Sequence, residues 1–166
     1  IVRTGKYVDK TGMIEFTNNI INDLRPLICF SRPRRFGKSI AAHMLTAYYS
    51  KGCDSREIFS GLKIAGLHTF EDELNKNTVI YLDMQEFRSY ASRNNSMQQV
   101  VQHIQDVIVQ ELKAEYPQIV RDDENDVPHA LAEINTQIGE QFIVIIDEWD
   151  CVFRIYKNDT NGQQLY

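Results

Sequence analysis

The run Ser31-Arg32-Pro33-Arg34-Arg35-Phe36-Gly37-Lys38-Ser39 constrains this chain more than any other feature. It lies between a short apolar segment, Leu27 to Phe30, and a helical pattern beginning at Ile40. Strand, tight loop, Gly-Lys-Ser and helix, in that order, make a cradle for the phosphates of a nucleotide. The loop N–H groups turn inward onto the oxygens, and the helix N-terminus adds partial positive charge. The lysine reaches the β- and γ-phosphates, and the hydroxyl coordinates Mg²⁺. Expected nucleotide contacts are therefore Arg34, Arg35, Phe36, Gly37, Lys38, Ser39 and Ile40. The general pattern G-x-x-x-x-G-K-[ST] has glycine where this chain has Arg32. A Cβ is accommodated there if φ stays negative and the long cation leaves the cradle.

A second feature points the same way. Phe142-Ile143-Val144-Ile145-Ile146 is an apolar strand tipped by Asp147 and Glu148. Such runs are expected to be buried on both faces, as in a parallel sheet covered by helices. Acids at the C-terminal end of such a strand lie where open α/β sheets bind ligands. Asp147 is expected to hold Mg²⁺ through water, with Ser39 as the other metal ligand. Glu148 is expected to polarise the attacking water, which makes Glu148 and Lys38 the catalytic residues. A core strand followed by an acidic turn is the plainer alternative.

The length of 166 residues suits one domain with a real core, though a small one for a complete ATPase-type domain. A net charge of −5 argues against nonspecific nucleic-acid binding by the chain as a whole. No apolar run approaches the ~20 residues of a membrane span, and no signal peptide is visible. Cys29, Cys53 and Cys151 are odd in number and widely spaced, which suits reduced thiols in the cytoplasm. His43, His68, His103 and His129 share no metal-ligand spacing and read as surface or packing residues. The first residue is Ile1, so the true N-terminus is expected to lie upstream.

Along the chain, Asp9 or Thr11 is expected to cap a helix carrying Met13, Ile14, Ile20, Ile21 and Leu24. Arg25-Pro26 stops it, and Leu27 to Phe30 is the first expected strand. The helix after the loop carries Ile40, Met44, Leu45, Tyr48 and Tyr49 and ends at Gly52. Val79 to Met84 is the second strand. The longest helix runs from Met97 to Tyr116, and Asp126 caps another that Gly139 closes. Three strands separated by helices predict an α/β fold: a three-layer parallel sheet with helices on both faces. A complete core of this kind has at least ~5 strands. Residues 1–166 therefore read as the N-terminal part of one domain, lacking the strands that follow the acids.

Three motifs together resemble the bacterial AAA-ATPase-like family of P-loop NTPases. They are Tyr7-Val8-Asp9-Lys10-Thr11, the Arg32-Pro33-Arg34-Arg35-Phe36-Gly37-Lys38-Ser39 string, and Asp147-Glu148-Trp149-Asp150. Arg32 belongs to the family's own pattern, and Trp149 stands where tyrosine is common. The resemblance runs from about Tyr7 to Asp150. It implies that Lys38 and Ser39 bind phosphate and Mg²⁺, that Asp147 is the metal-associated acid and that Glu148 activates water. Many relatives carry a nuclease-like domain C-terminal to the ATPase part, and such a domain is an expected partner outside this chain.

Several residues keep two readings. Arg34 and Arg35 either add charge near the nucleotide or pair with acids such as Asp83 or Glu86. Val8 to Thr11 either lies over the nucleotide base or is a plain helix cap. Asp83 either faces the site or closes a strand-end turn. Asp150 either orients Arg154 or caps a following helix. The expected function is an ATP-binding domain that, in the full-length protein, hydrolyses ATP with Mg²⁺ to drive a conformational switch. The rivals are a non-catalytic nucleotide sensor and a module in which the arginines meet a nucleic-acid backbone. Adenine is the expected base, since no Asn/Thr-Lys-x-Asp guanine-reading motif is present.

Overall fold

A computed structural model describes residues 7–21, 27–31, 33, 36–93 and 96–158. Seven α-helices and two strands are defined among them. In chain order they are α1 (Gly12–Asn18), α2 (Lys38–Tyr49), α3 (Arg56–Phe59), β1 (Thr78–Asp83) and α4 (Arg88–Ala91). Then come α5 (Met97–Glu115), α6 (Val127–Ile138), β2 (Phe142–Asp147) and α7 (Cys151–Ile155). Two 3₁₀ turns, Lys63–Gly66 and His68–Glu71, lie between α3 and β1. The strands pair in parallel, so the fold is mixed α/β with long helical segments between the strands. Among the described residues, no helix is long and apolar enough to cross a membrane.

The chain divides into two compact units. The first holds residues 1–81 and 143–145, and the second holds 82–142 and 146–166.

In the first unit α2 is the central helix. Ala41, Met44, Leu45, Tyr48 and Tyr49 recur at helical spacing, and all are buried. They meet Ile14, Phe59, Ile64, Phe70 and Leu74, with Val79, Ile143 and Ile145 of the strands packed against them. Burying two tyrosines requires partners for their hydroxyls. Tyr48 donates to the Phe70 carbonyl at 2.9 Å, and Tyr49 donates to Asn18 Oδ1 at 2.7 Å. Both bonds fix the rotation of α2 about its own axis. Its C-terminal end is held by Asn75, a residue with φ 56°. The Asn75 amide donates to the carbonyls of Ala47 and Ser50, groups a helix end leaves unsatisfied.

In the second unit α5 and α6 supply the core. Met97, Val100, Ile104, Ile108 and Leu112 recur on one face of α5, and Ala130 and Ile134 face inward from α6. Asp126 caps α6 by accepting from the His129 N–H at 3.0 Å, with proline in the first turn. Gly139 closes the helix at φ 70°, a left-handed backbone that glycine adopts without steric cost.

Three expectations change. Residues 27–30 form no strand, so the described sheet has two strands where three were expected. A strand is defined by its ladder, and among the described residues this segment has none; Leu27 is 91% exposed. The β2 run is not buried on both faces: Ile143 and Ile145 pack inward while Val144 and Ile146 are each 48% exposed. Apolar content alone did not reveal that alternation. Finally, α1 stops at Asn18, so Ile20 and Ile21 lie in the turn that follows it. Leu24, Arg25 and Pro26 fall outside the described residues.

The loop before α6 is held by an ion pair that spacing did not reveal. Glu124, whose side chain is 6% exposed, accepts from the backbone N–H of Asn125 and Asp126 and pairs with His129. The N–H of Asp126 foremost, then His129, draws the Glu124 carboxyl down to about 2. The same hydrogen bond, with the carboxylate's charge, raises His129 above its ordinary 6.5. The histidine's contribution is therefore complete below 6.5 and is lost as pH rises through its raised value. The glutamate's contribution is present above its ordinary 4.5 and is lost as pH falls toward about 2. Thermal melts of His129→Ala against the unaltered chain should differ most between these limits, with the gap closing as pH rises beyond them. A gap that stays constant with pH would show that the pair is uncharged.

Candidate functional site

The described part of the Gly-Lys-Ser loop belongs to the first unit. Gly37 has φ 72° and ψ 40°, a left-handed conformation, and is the N-cap residue of α2. Glycine is needed there because a side chain strains that backbone by ~1–2 kcal/mol. Lys38, Ser39 and Ile40 form the first turn. Among the described residues no side chain caps it and no acid sits in it, and the partial positive charge of such a helix end favours an anion. Lys38 and Ser39 are half-buried, whereas Phe36 and Ile40 are exposed. Arg32, Arg34 and Arg35 lie outside the described residues, so their two readings stay as the sequence left them.

In the segment Val8 to Thr11, Thr11 holds the N-cap position of α1 and its side chain makes no capping bond. Asp9 Oδ1 accepts from the Thr11 N–H at 2.8 Å and from its hydroxyl at 2.7 Å, while Oδ2 accepts from the Lys63 N–H at 2.9 Å. Burial would raise the Asp9 carboxyl, but these donors hold it below its ordinary value. Between the two anchored residues, Lys10 extends to the phosphate loop. Its Nζ donates to the Phe36 carbonyl at 2.7 Å and approaches the Gly37 carbonyl at 3.5 Å. Sequence reading missed this contact across 26 residues. Its only trace was a lysine inside a motif with no role for it.

The acids belong to the second unit. Asp147 is the last residue of β2 and is 5% exposed. Its Oδ1 accepts from the Glu148 N–H at 2.9 Å, and its carbonyl accepts from Met84 N at 3.1 Å. Glu148 follows with φ 53°, which is rare outside glycine. That turn sends its carboxylate to Arg154, 3.1 Å away, and the same guanidinium contacts Asp150 at 2.5 Å. Asp150 therefore orients Arg154; it also occupies the N-cap position of α7, where its side chain makes no capping bond. Asp83 closes a strand-end turn by accepting from Gln85 N at 2.9 Å. Trp149 is 49% exposed and meets Phe153 edge to face.

Oxygen donors suit Mg²⁺, and both Ser39 and Asp147 supply them. Among the described residues Asp147 Oδ1 accepts from one backbone N–H, and a carboxylate has further acceptor capacity for a metal-bound water. A different trio, Glu124, His129 and Glu133, brings potential ligand atoms within 4.8 Å of one another. There the Glu124 oxygens already accept from two N–H groups and the imidazole, which makes the group a structural clamp. His103 stacks on Tyr90 at 4.0 Å and His43 lies 5.0 Å from Tyr81, both in packing roles. Cys29 and Cys53 are exposed free thiols, and Cys151 is a buried one.

No curated protein and no solved structure matches the chain. A family model described as Predicted AAA-ATPase matches residues 1–164, and the chain therefore belongs to that AAA-ATPase-like family.

Proposed function

We propose that this chain binds ATP with Mg²⁺ and that the protein it belongs to hydrolyses it to drive a conformational change in an attached domain. Family membership supports a nucleotide-binding, ATPase-like role. The observation that carries the reading is the left-handed Gly37 opening α2 with no capping side chain and no acid in the first turn. Those features favour a multiply charged anion at this helix end. Lys38 and the loop amides hold the β- and γ-phosphates, with Arg34 and Arg35 adding charge around them. Phe36 and Ile40, exposed beside the loop, contact the nucleotide.

Ser39 and Asp147 are the residues that would hold Mg²⁺, which when bound neutralises charge on the phosphate oxygens. Glu148 orients the attacking water and accepts its proton. The chemistry is positioning plus charge stabilisation, so the demands on the protein are geometric. We extend the reading to a three-layer sheet completed by strands after the acids and to a cytoplasmic setting for the free thiols. A nuclease-like domain C-terminal to this chain is the partner the resemblance implies. One observation favours the sensor alternative: Glu148 is held by Arg154. A carboxylate oxygen engaged by a guanidinium must leave that contact before it can take a water.

Titrating ATP–Mg²⁺ calorimetrically into the full chain tests the site. Lys38→Ala should weaken binding by about 10–100-fold, the loss expected for a charge-assisted hydrogen bond to phosphate. Tight binding by that variant would sink the assignment. Gly37→Ala should weaken it by roughly ten-fold through left-handed strain. In the full-length protein Glu148→Gln should keep binding and lose about 10²–10⁴ in turnover. Tight binding with no turnover in the unaltered protein would establish the sensor instead.

A further inference from the structure

We infer that Lys10 is a positioning residue for the phosphate cradle, holding loop amides toward the anion without touching it. The inference rests on the nucleotide-binding reading and gives Val8-Asp9-Lys10-Thr11 a task that a helix cap alone does not explain.

Asp9 is bound to the N–H and hydroxyl of Thr11 and to the Lys63 N–H. Thr11 is fully buried, and its hydroxyl accepts from the Ile64 N–H at 3.2 Å. Both neighbours of Lys10 are thereby fastened to the Lys63–Gly66 turn. The ammonium reaches from this anchored stem to the Phe36 carbonyl at 2.7 Å.

A trans peptide has its C=O and N–H on opposite sides. The described chain contains no cis peptide bond. With the Phe36 carbonyl drawn to Lys10, the Gly37 N–H must face the other way. The Gly37 carbonyl accepts from the Ala41 N–H at 3.1 Å, so α2 itself sets the Lys38 N–H, and the ammonium lies 3.5 Å from the same carbonyl. Left-handed Gly37 followed by helical Lys38 is the backbone alternation that gathers successive N–H groups into an anion-binding nest. A Cβ on Gly37 would come within 2.7 Å of Lys10 Nζ. The ammonium, within reach of the Phe36 and Gly37 carbonyls, therefore lies on the carbonyl side of the loop. From that side it acts through the backbone, which is why Lys10 is a positioning residue and Lys38 a phosphate ligand.

The cation has a second effect. A loop that presents several N–H groups to one point leaves their carbonyls clustered on its outer side, where they repel one another. An ammonium shared by two carbonyls relieves that repulsion before any anion arrives, so less ordering is needed on binding.

The test compares Lys10→Met, which keeps the stem and removes the donors, with Lys10→Arg, which keeps a donor. Lys38→Ala is the control. ATP–Mg²⁺ affinity of the full chain is measured by calorimetry, with thermal melts alongside. In the full-length protein kcat and KM are separated. Lys10→Met should weaken ATP binding roughly ten-fold, as expected for losing a charged hydrogen bond, and leave kcat within about two-fold. Lys10→Arg should recover most of the affinity. Wild-type affinity in Lys10→Met, with Lys38→Ala impaired, would overturn the role of Lys10 and leave the nucleotide site standing. A lowered melting temperature with equal losses in Lys10→Met and Lys10→Arg would also overturn it, showing a purely structural lysine. Wild-type affinity in Lys38→Ala would instead refute the nucleotide reading beneath it.

Discussion

A helix whose first residue follows a left-handed glycine can present its N-terminus only in the direction the rest of that helix allows. In this chain α2 is that helix, and its direction is set by burial well away from the loop. Tyr48 and Tyr49 are almost fully enclosed, so their hydroxyls must find partners or cost ~1–3 kcal/mol each. The nearest carbonyl and amide oxygens are those of Phe70 and Asn18, and the Thr69 carbonyl and the Thr17 hydroxyl lie beside them. Asn75 then fastens the far end of the helix through its own left-handed turn. Once both tyrosines and Asn75 are satisfied, the helix can neither rotate nor slide. The orientation of Lys38 and Ser39 is thus an outcome of packing two and three turns away. Lys10 completes the arrangement from the other side by holding the peptide that enters the helix.

The strand end of the second unit shows strain used differently. Placing Glu148 at φ 53° costs on the order of 1 kcal/mol for a residue with a Cβ. The turn gives adjacent acids unlike surroundings. Asp147 stays buried, with one oxygen held by the next N–H. Glu148 reaches a guanidinium that is itself held by Asp150. Arg154 is partly exposed, so solvent screens the pair and its net stabilisation is modest. An ion pair of that strength sets a direction for Glu148 and remains weak enough to exchange for another contact. Two neighbouring carboxylates thus differ in burial and in partners, the difference that the proposed function draws on.

What was legible in the sequence followed from how local the signal was. α5 and α6 repeat their apolar residues over many turns and carry caps at Asp126 and Gly139, and they stand where periodicity put them. β1 and β2 are short, apolar and bounded by polar residues, which made their existence clear and their faces unclear. Val144 and Ile146 look no different from Ile143 and Ile145 in composition; only packing distinguishes them. Leu27 to Phe30 has strand-like residues, yet a strand needs neighbours, and composition does not supply them. Gly37, Lys38 and Ser39 were singled out by a motif whose mechanism is local, and they stand at the start of α2. The Asp150–Arg154 pair was one of the two readings the sequence offered for Asp150. The Lys10 contact was not found because it joins groups 26 residues apart, and the Glu148 contact to Arg154 was not found because it depends on the left-handed turn at Glu148.

The distribution of charge decides what kind of anion such a loop suits. The chain carries a net charge of −5, yet Arg32, Arg34, Arg35 and Lys38 fall within seven consecutive residues. Screening at physiological salt limits electrostatic reach to about 8 Å. A nucleotide's phosphates are small enough to lie within that distance of the loop and respond mainly to its local cations. A nucleic-acid backbone extends well past it, and along that length a chain of net charge −5 opposes neutralising several phosphates in a row. The same reasoning explains why a lysine spent on backbone carbonyls is worthwhile. The positive helix end and Lys38 already supply attraction, so the limiting requirement is the direction of the amides. A cation placed behind the peptide meets that requirement, where one more placed in front would only add charge.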